Sequence, residues 1–182
     1  RELTLFRVLR EVLGDRDDIA RLYEVQLDEA PYFLEVEFTE AGDLNNWARA
    51  QGGIDTVPLE TRLGLVARTA RAVGAAHSVG VLHRDIKPSN ILIHQVADGE
   101  PRPRLSDFGI GILADRTHLE ANQITMSGFT GLLTENESSR TGTRIYAPPE
   151  MLVGKAFTVQ GDIYALGVLL YQMLVGDLER PL

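Results

Sequence analysis

The chain has 182 residues, of which 44% are apolar, and this is enough for one domain with a sizeable core. Its 26 acidic and 18 basic residues give a net charge of −8, which argues against nucleic acid or an anionic membrane surface as the main partner. The chain has no cysteine, which excludes a disulfide framework and a thiolate zinc site and favours a cytoplasmic location. No apolar stretch is long enough to cross a bilayer, although flanking sequence could carry an anchor.

The first part of the chain predicts one helix and a pair of strands. Apolar residues recur at helical spacing over residues 1–13, where we expect a helix. Residues 21–27 and 32–38 are rich in aromatic and aliphatic side chains and flank a short turn that contains Pro31. We therefore expect an antiparallel pair here.

The remainder of the chain predicts a mainly helical region with one further hairpin. Residues 59–77 carry apolar side chains on one helical face. These are Leu59, Leu63, Val66, Ala70, Val73 and Ala76. Residues 91–106 indicate two short strands, and residues 110–144 indicate a long loop. Residues 162–175 are apolar almost all round, which predicts a helix buried on every side.

Two short motifs carry the chemistry, His-Arg-Asp-Ile-Lys-Pro-Ser-Asn at 83–90 and Asp-Phe-Gly at 107–109. Transfer of a phosphoryl group needs a base at the acceptor hydroxyl, a cation near the phosphates and oxygen ligands for magnesium. The candidates are Asp85 as the base, Lys87 as the cation, and Asn90 and Asp107 as the metal ligands. The second motif alone could be an ordinary turn after a strand, but the first motif upstream of it favours the catalytic interpretation.

Two later motifs, Gly-Thr-Arg-Ile-Tyr-Ala-Pro-Pro-Glu at 142–150 and Asp-Ile-Tyr-Ala-Leu-Gly at 162–167, complete an ordered set. With them the chain resembles a eukaryotic-type serine/threonine protein kinase domain of the kind common in bacteria. The resemblance implies an α+β, protein-kinase-like fold. Residues 1–38 would be a remnant of the small lobe, a helix with antiparallel strands. Residues 39–182 would be the hinge and the mostly helical large lobe through the central buried helix.

The sequence departs from that family pattern at its beginning. No glycine-rich phosphate loop and no Val-Ala-Ile-Lys strand precede His83. We therefore expect the chain to be a fragment that lacks those strands and the last helices of the domain. Because positioning by the small lobe supplies much of the catalysis, we expect the fragment alone to be weakly active or inactive.

The resemblance also implies which residues bind ATP and Mg²⁺ or Mn²⁺. Glu2 would pair with the lysine that this chain lacks, and Glu11 is the less favoured alternative. Glu37 and the backbone around Thr39 would face the adenine, and Asp43 would bond the ribose. The remaining nucleotide contacts would be Lys87, Asn90, Leu92 and Asp107, with the metal at Asn90 and Asp107.

A last group of residues would regulate the site. Arg84 suggests a cationic pocket that a phosphorylated activation segment could neutralise. The candidate phosphorylation sites are Ser138, Ser139 and Thr141. Their sequence context is explained equally well if they are ordinary loop residues. By resemblance, Thr143 favours serine or threonine acceptors, Phe108 stacks with His83 in an apolar spine beside Gly109, and Asp162 braces the catalytic loop. Glu150 would pair with an arginine of a later helix.

Three functions compete. The leading one is a kinase that phosphorylates serine or threonine on protein substrates, itself included, with self-association for phosphorylation in trans. The second is a kinase-like regulatory or binding module, favoured only by the missing phosphate loop. The third is a small-molecule phosphotransferase of the aminoglycoside-kinase type, which shares the Asp-x4-Asn spacing but is disfavoured by Lys87 and residues 107–109.

Overall fold

A computed structural model of the chain describes residue 11 and residues 16–26, 33–95, 99–108, 145–152 and 156–182. Apart from Glu11, which is helical, the expected first helix lies outside the described residues, and so does the long loop at 110–144. The described part contains two antiparallel strand pairs, helices between them and helices after the second pair, so the predicted α+β class is confirmed.

The first two strands pair as predicted. Strand β1 (Leu22–Gln26) runs antiparallel to β2 (Phe33–Val36), with Gln26 opposite Phe33. The aromatic and β-branched residues of these segments suit a pleated surface.

The second predicted hairpin is also confirmed, and it is hydrogen-bonded to the segment that precedes β1. Strand β3 (Ile91–His94) pairs antiparallel with β4 (Arg102–Leu105), and alternate side chains of each are buried. The segment before β1 joins β4 through two backbone bonds of Leu105, which donates to the Asp18 carbonyl and accepts from the Ala20 N–H, both at 2.9 Å. The two hairpins are therefore linked through the backbone.

A short helix that the sequence analysis did not predict follows the segment after β2. Helix α1 (Leu44–Ala50) starts at Asp43, whose Oδ1 accepts the Asn46 N–H at 2.8 Å. Such a cap satisfies an N–H group that the first helical turn leaves unpaired. The helix buries Leu44 and Trp47 in the core.

The long helix α2 (Leu59–Ser78) has the predicted position, and Val66, Val73 and Ala76 of the predicted apolar face are buried. Leu59 and Leu63 are 46% and 36% exposed, so this part of the prediction was wrong, whereas Leu65 and Thr69 are buried. The Thr69 hydroxyl donates to the Leu65 carbonyl at 2.9 Å, which allows a polar side chain to face the core.

The last two helices are α3 (Pro149–Leu152) and α4 (Val159–Val175), and α4 packs against α2. The prediction that the last helix is buried on every side was wrong for the described residues. One face is in the core, but the opposite face is open because no described element packs against it. Its most exposed apolar side chains are Ile163, Leu174 and Val175. No helix in the described part of the chain has the length and apolarity needed to span a membrane.

Candidate phosphoryl-transfer site

The loop that carries the first motif is hydrogen-bonded to the side-chain carboxylate of Asp162 in helix α4. Asp162 is fully buried, and its Oδ1 accepts the Arg84 N–H at 2.8 Å. Its Oδ2 accepts the His83 N–H at 2.9 Å and a hydrogen bond from His77 Nε2 at 2.7 Å. One buried side chain thus fixes two consecutive peptide groups of the loop.

Two residues of the motifs have left-handed backbone conformations. Arg84 has φ 71° and Asp107 has φ 59°. Non-glycine residues avoid this region, at a cost of about 1–3 kcal/mol where surrounding structure enforces it. For Arg84 the enforcing contact is the bond to Asp162, which fixes the turn immediately before Asp85.

His83 joins the two motifs. Its ring is buried, Nε2 donates to the Ser106 carbonyl at 2.7 Å, and Nδ1 accepts the Asp85 N–H at 3.2 Å. These partners require a neutral imidazole with its proton on Nε2, and burial lowers the pKa of His83 in the same sense. The ring also packs against Phe108, with centroids 4.7 Å apart.

Asp85 has one engaged oxygen and one open oxygen. Lys87 Nζ lies 2.7 Å from Oδ2, and Asn90 Nδ2 donates to the same oxygen at 3.0 Å. Asn90 Nδ2 also donates to the Asp85 carbonyl at 2.7 Å. No described residue bonds Oδ1, and the side chain is 42% exposed. The open oxygen can therefore accept the proton of an incoming hydroxyl.

Asp107 and Asn90 present oxygens suited to a divalent cation. No described residue donates a hydrogen bond to the Asp107 carboxylate. Burial raises the pKa of Asp107, repulsion by Asp85 adds to this, and the charge of Lys87 only partly offsets it. The Asn90 amide nitrogen faces Asp85, and among the described residues the Asn90 amide oxygen has only a long contact of 3.4 Å from the Ser89 hydroxyl. A carboxylate and an amide oxygen are ligands that Mg²⁺ prefers, so the chemistry of these two side chains fits that cation.

The segment after β2 contains the predicted nucleotide contacts. Among the described residues, nothing bonds the Thr39 N–H or the Glu37 carbonyl, so both backbone groups are open to a ligand. The Glu37 carboxylate, by contrast, is bound to Arg104, so its side chain is not free to face an adenine. Asp43 uses Oδ1 to cap α1, which leaves Oδ2 for a ribose, and it forms an isolated bridge with Leu92.

Several predicted site residues lie outside the described residues. They are Glu2, Gly109, Ser138, Ser139, Thr141 and Thr143. Glu150 lies in α3, and no described basic residue pairs with it. The sequence analysis did not single out His77 or Arg104, because neither stands at a recognisable spacing from the residues that it contacts.

Comparison with known proteins agrees with this geometry. The model of the protein kinase domain family matches residues 1–181. The serine/threonine-protein kinase PknJ of Mycobacterium tuberculosis is 31% identical over 163 residues, which is 90% of this chain and 24% of the relative. PkaA of Streptomyces coelicolor is 33% identical over 159 residues, 87% of this chain and 26% of the relative. PKH2 of Saccharomyces cerevisiae is 30% identical over 164 residues, 90% and 14% respectively.

The ordered motifs, the buried Asp162 that bonds the loop at residues 83–84 and the family match together define the class of domain. This chain belongs to the protein kinase domain family. It spans about a quarter of the length of the bacterial relatives PknJ and PkaA.

Proposed function

We propose that the protein carrying this chain is an ATP-dependent protein kinase that transfers the γ-phosphoryl group to serine or threonine hydroxyls. The observation that carries the proposal is the convergence of Lys87 and Asn90 on one oxygen of Asp85 while the other oxygen stays open. A binding module without catalysis has no physical need for this arrangement. The relatives named as serine/threonine kinases support the same activity.

Asp85 is the group that acts on the acceptor. Its open Oδ1 accepts the hydroxyl proton as the acceptor oxygen bonds to the γ-phosphorus and the bond to the β–γ bridging oxygen breaks, releasing ADP. Lys87 and Asn90 hold the carboxylate in one orientation, because both contact Oδ2. The Lys87 charge also lies where it can offset negative charge on the transferring group.

Asn90 and Asp107 would hold Mg²⁺ (or Mn²⁺). When bound, the cation offsets the negative charge of the phosphates. The protein supplies the Asp107 carboxylate, whose charge Lys87 only partly compensates, so binding of a cation would relieve an unfavourable burial.

The nucleotide base would lie against the segment that follows β2. The Thr39 N–H and the Glu37 carbonyl offer a donor and an acceptor to an adenine edge, Asp43 offers Oδ2 to the ribose, and Leu92 offers an apolar contact. Glu2 would pair with a lysine outside this chain, as the resemblance implies. We also place the domain in the cytoplasm, where ATP is available, and take its partners to be protein substrates and a second copy of the protein.

The test is incubation of the full-length protein with labelled MgATP and a basic protein acceptor, followed by analysis of the phosphorylated amino acids. We expect label on serine and threonine and none on tyrosine. Binding of MgATP without any transfer would instead support the regulatory module. Transfer to an aminoglycoside but to no protein would support the small-molecule phosphotransferase.

A further inference from the structure

The segment from Glu37 to Asp43 is tied at both ends to the β3–β4 hairpin. At its far end the Gly42 carbonyl accepts the Ile93 N–H at 2.9 Å. At its near end the carboxylate of Glu37 accepts a hydrogen bond from Arg104 Nη1. Between these anchors lie the two backbone groups that the proposed function assigns to the adenine.

The near anchor is a cluster of charged side chains, Glu37 and Arg104, that are both largely buried. The side chains of Glu37 and Arg104 are 10% and 17% exposed. The second carboxylate oxygen of Glu37 accepts the Arg21 N–H at 3.1 Å, and the Glu37 N–H returns a bond to the Arg21 carbonyl at 2.8 Å. His94 Nε2 lies 3.2 Å from the first oxygen without forming a hydrogen bond.

The carboxylate is ionised in this cluster at neutral pH. Burial acts to raise the pKa of Glu37, but the hydrogen bonds from Arg104 and the Arg21 N–H, together with the charge of Arg104, outweigh it and lower the pKa. A charge-assisted bond of this kind is stronger than a neutral one and fixes geometry more tightly. Glu37 therefore connects β1, β2 and β4 at a single point.

We infer that the Glu37–Arg104 pair is a positioning device for the nucleotide, which sets the Glu37 carbonyl and the Thr39 N–H at the spacing that an adenine edge requires. The inference rests on the proposed function. The carboxylate itself does not touch the nucleotide, and it acts by holding its own backbone. Without the pair, the Glu37 carbonyl and the Thr39 N–H would be free to shift. Nucleotide binding would then have to order these two groups, and this entropic cost would weaken the affinity.

The test compares Glu37→Gln, Arg104→Gln and the double variant in the full-length protein. Matched controls are Glu35→Gln and Arg102→Gln, which remove the same charges from exposed positions of β2 and β4. Three quantities are measured for each: the Kd for MgATP by calorimetry, the KM for ATP and kcat. Thermal unfolding checks that each variant is folded, and Arg104→Lys, which keeps the charge, serves as the conservative variant.

We expect each single substitution to raise Kd and KM for ATP about tenfold and leave kcat within about twofold, because the pair acts on ground-state binding. The double variant should be no weaker than either single one, since both remove the same contact. Arg104→Lys should recover part of the affinity, and the controls should match the unsubstituted protein.

Two results would overturn the inference. The first is unchanged nucleotide affinity in folded Glu37→Gln and Arg104→Gln. The second is a double variant whose loss equals the product of the single losses, which would mean that the two side chains act independently. If the unsubstituted protein binds MgATP but transfers no phosphate, the proposed activity fails while Kd still decides this inference. If it binds no nucleotide, both fail.

Discussion

The carboxylate of Asp162 accepts a hydrogen bond from the Arg84 N–H at 2.8 Å, and it is the contact that holds a strained turn next to Asp85. Replacing one of its oxygens with an NH2 group leaves one of two backbone donors, the N–H of His83 or of Arg84, without an acceptor. We expect Asp162→Asn to lower the free energy of unfolding by about 2–5 kcal/mol. Urea denaturation measures the loss. Asp17→Asn, at an exposed position, is the matched control and should change little.

Asp107→Asn should make the domain more stable and less active. The pKa of Asp107 is raised in the folded state, so ionisation of this carboxylate lowers the free energy of unfolding. The loss of stability develops as the pH rises through the folded-state pKa. The variant should therefore unfold at a higher temperature than the unsubstituted protein at pH 8, without metal or nucleotide. The difference should vanish at acidic pH, where both side chains are neutral.

The same substitution removes a proposed metal ligand, so phosphoryl transfer should fall more than about a hundredfold. Calorimetric scans at several pH values and a transfer assay check the two halves separately. A variant that is less stable at pH 8 would contradict the assignment of Asp107 as a largely buried charge that Lys87 only partly compensates.

Two glycine substitutions should have opposite signs. Gly176 ends α4 with φ 81°, and an added Cβ would lie 3.0 Å from the Asp55 Cβ and 3.2 Å from Arg62 Nη1. Gly176→Ala should thus destabilise the domain by about 1 kcal/mol or more. Gly64 lies within α2 with no atom within 4 Å of an added Cβ, so Gly64→Ala should stabilise it by about 0.5–1 kcal/mol. Thermal melts of both variants test the pair.

Autophosphorylation should fall on the segment before residue 142. The candidates Ser138, Ser139 and Thr141 lie outside the described residues. We propose that Arg84 forms an ion pair with the phosphorylated side chain. Mass spectrometry of the full-length protein after incubation with MgATP should locate phosphate there, and Arg84→Gln should weaken the activation that follows. Phosphate only at distant positions would count against this segment as the regulatory site.

Local patterns made the strands and the reactive loop predictable from sequence. The motif at 83–90 places its base, cation and amide within six residues, so the contacts of Asp85 with Lys87 and Asn90 follow from short spacing. Helix α1 was missed because its seven residues are too few for a periodic signal, and burial of Trp47 supports it instead.

Contacts between distant segments could not be predicted. Glu37 and Arg104 are 67 residues apart, and nothing in their spacing indicates that they meet. The exposure of Leu59 and Leu63 in α2 likewise could not be predicted, because apolar periodicity does not show how much of a helix its neighbours cover.

The most direct test of the catalytic assignment is Asp85→Asn in the full-length protein, measured for both MgATP binding and phosphoryl transfer. Because the proposed role of Asp85 is at the acceptor hydroxyl, we expect transfer to fall about 10²–10⁴-fold while the Kd for MgATP changes less than about threefold. Transfer that survives within about tenfold, or a loss of nucleotide binding in a folded variant, would contradict the role given to Asp85.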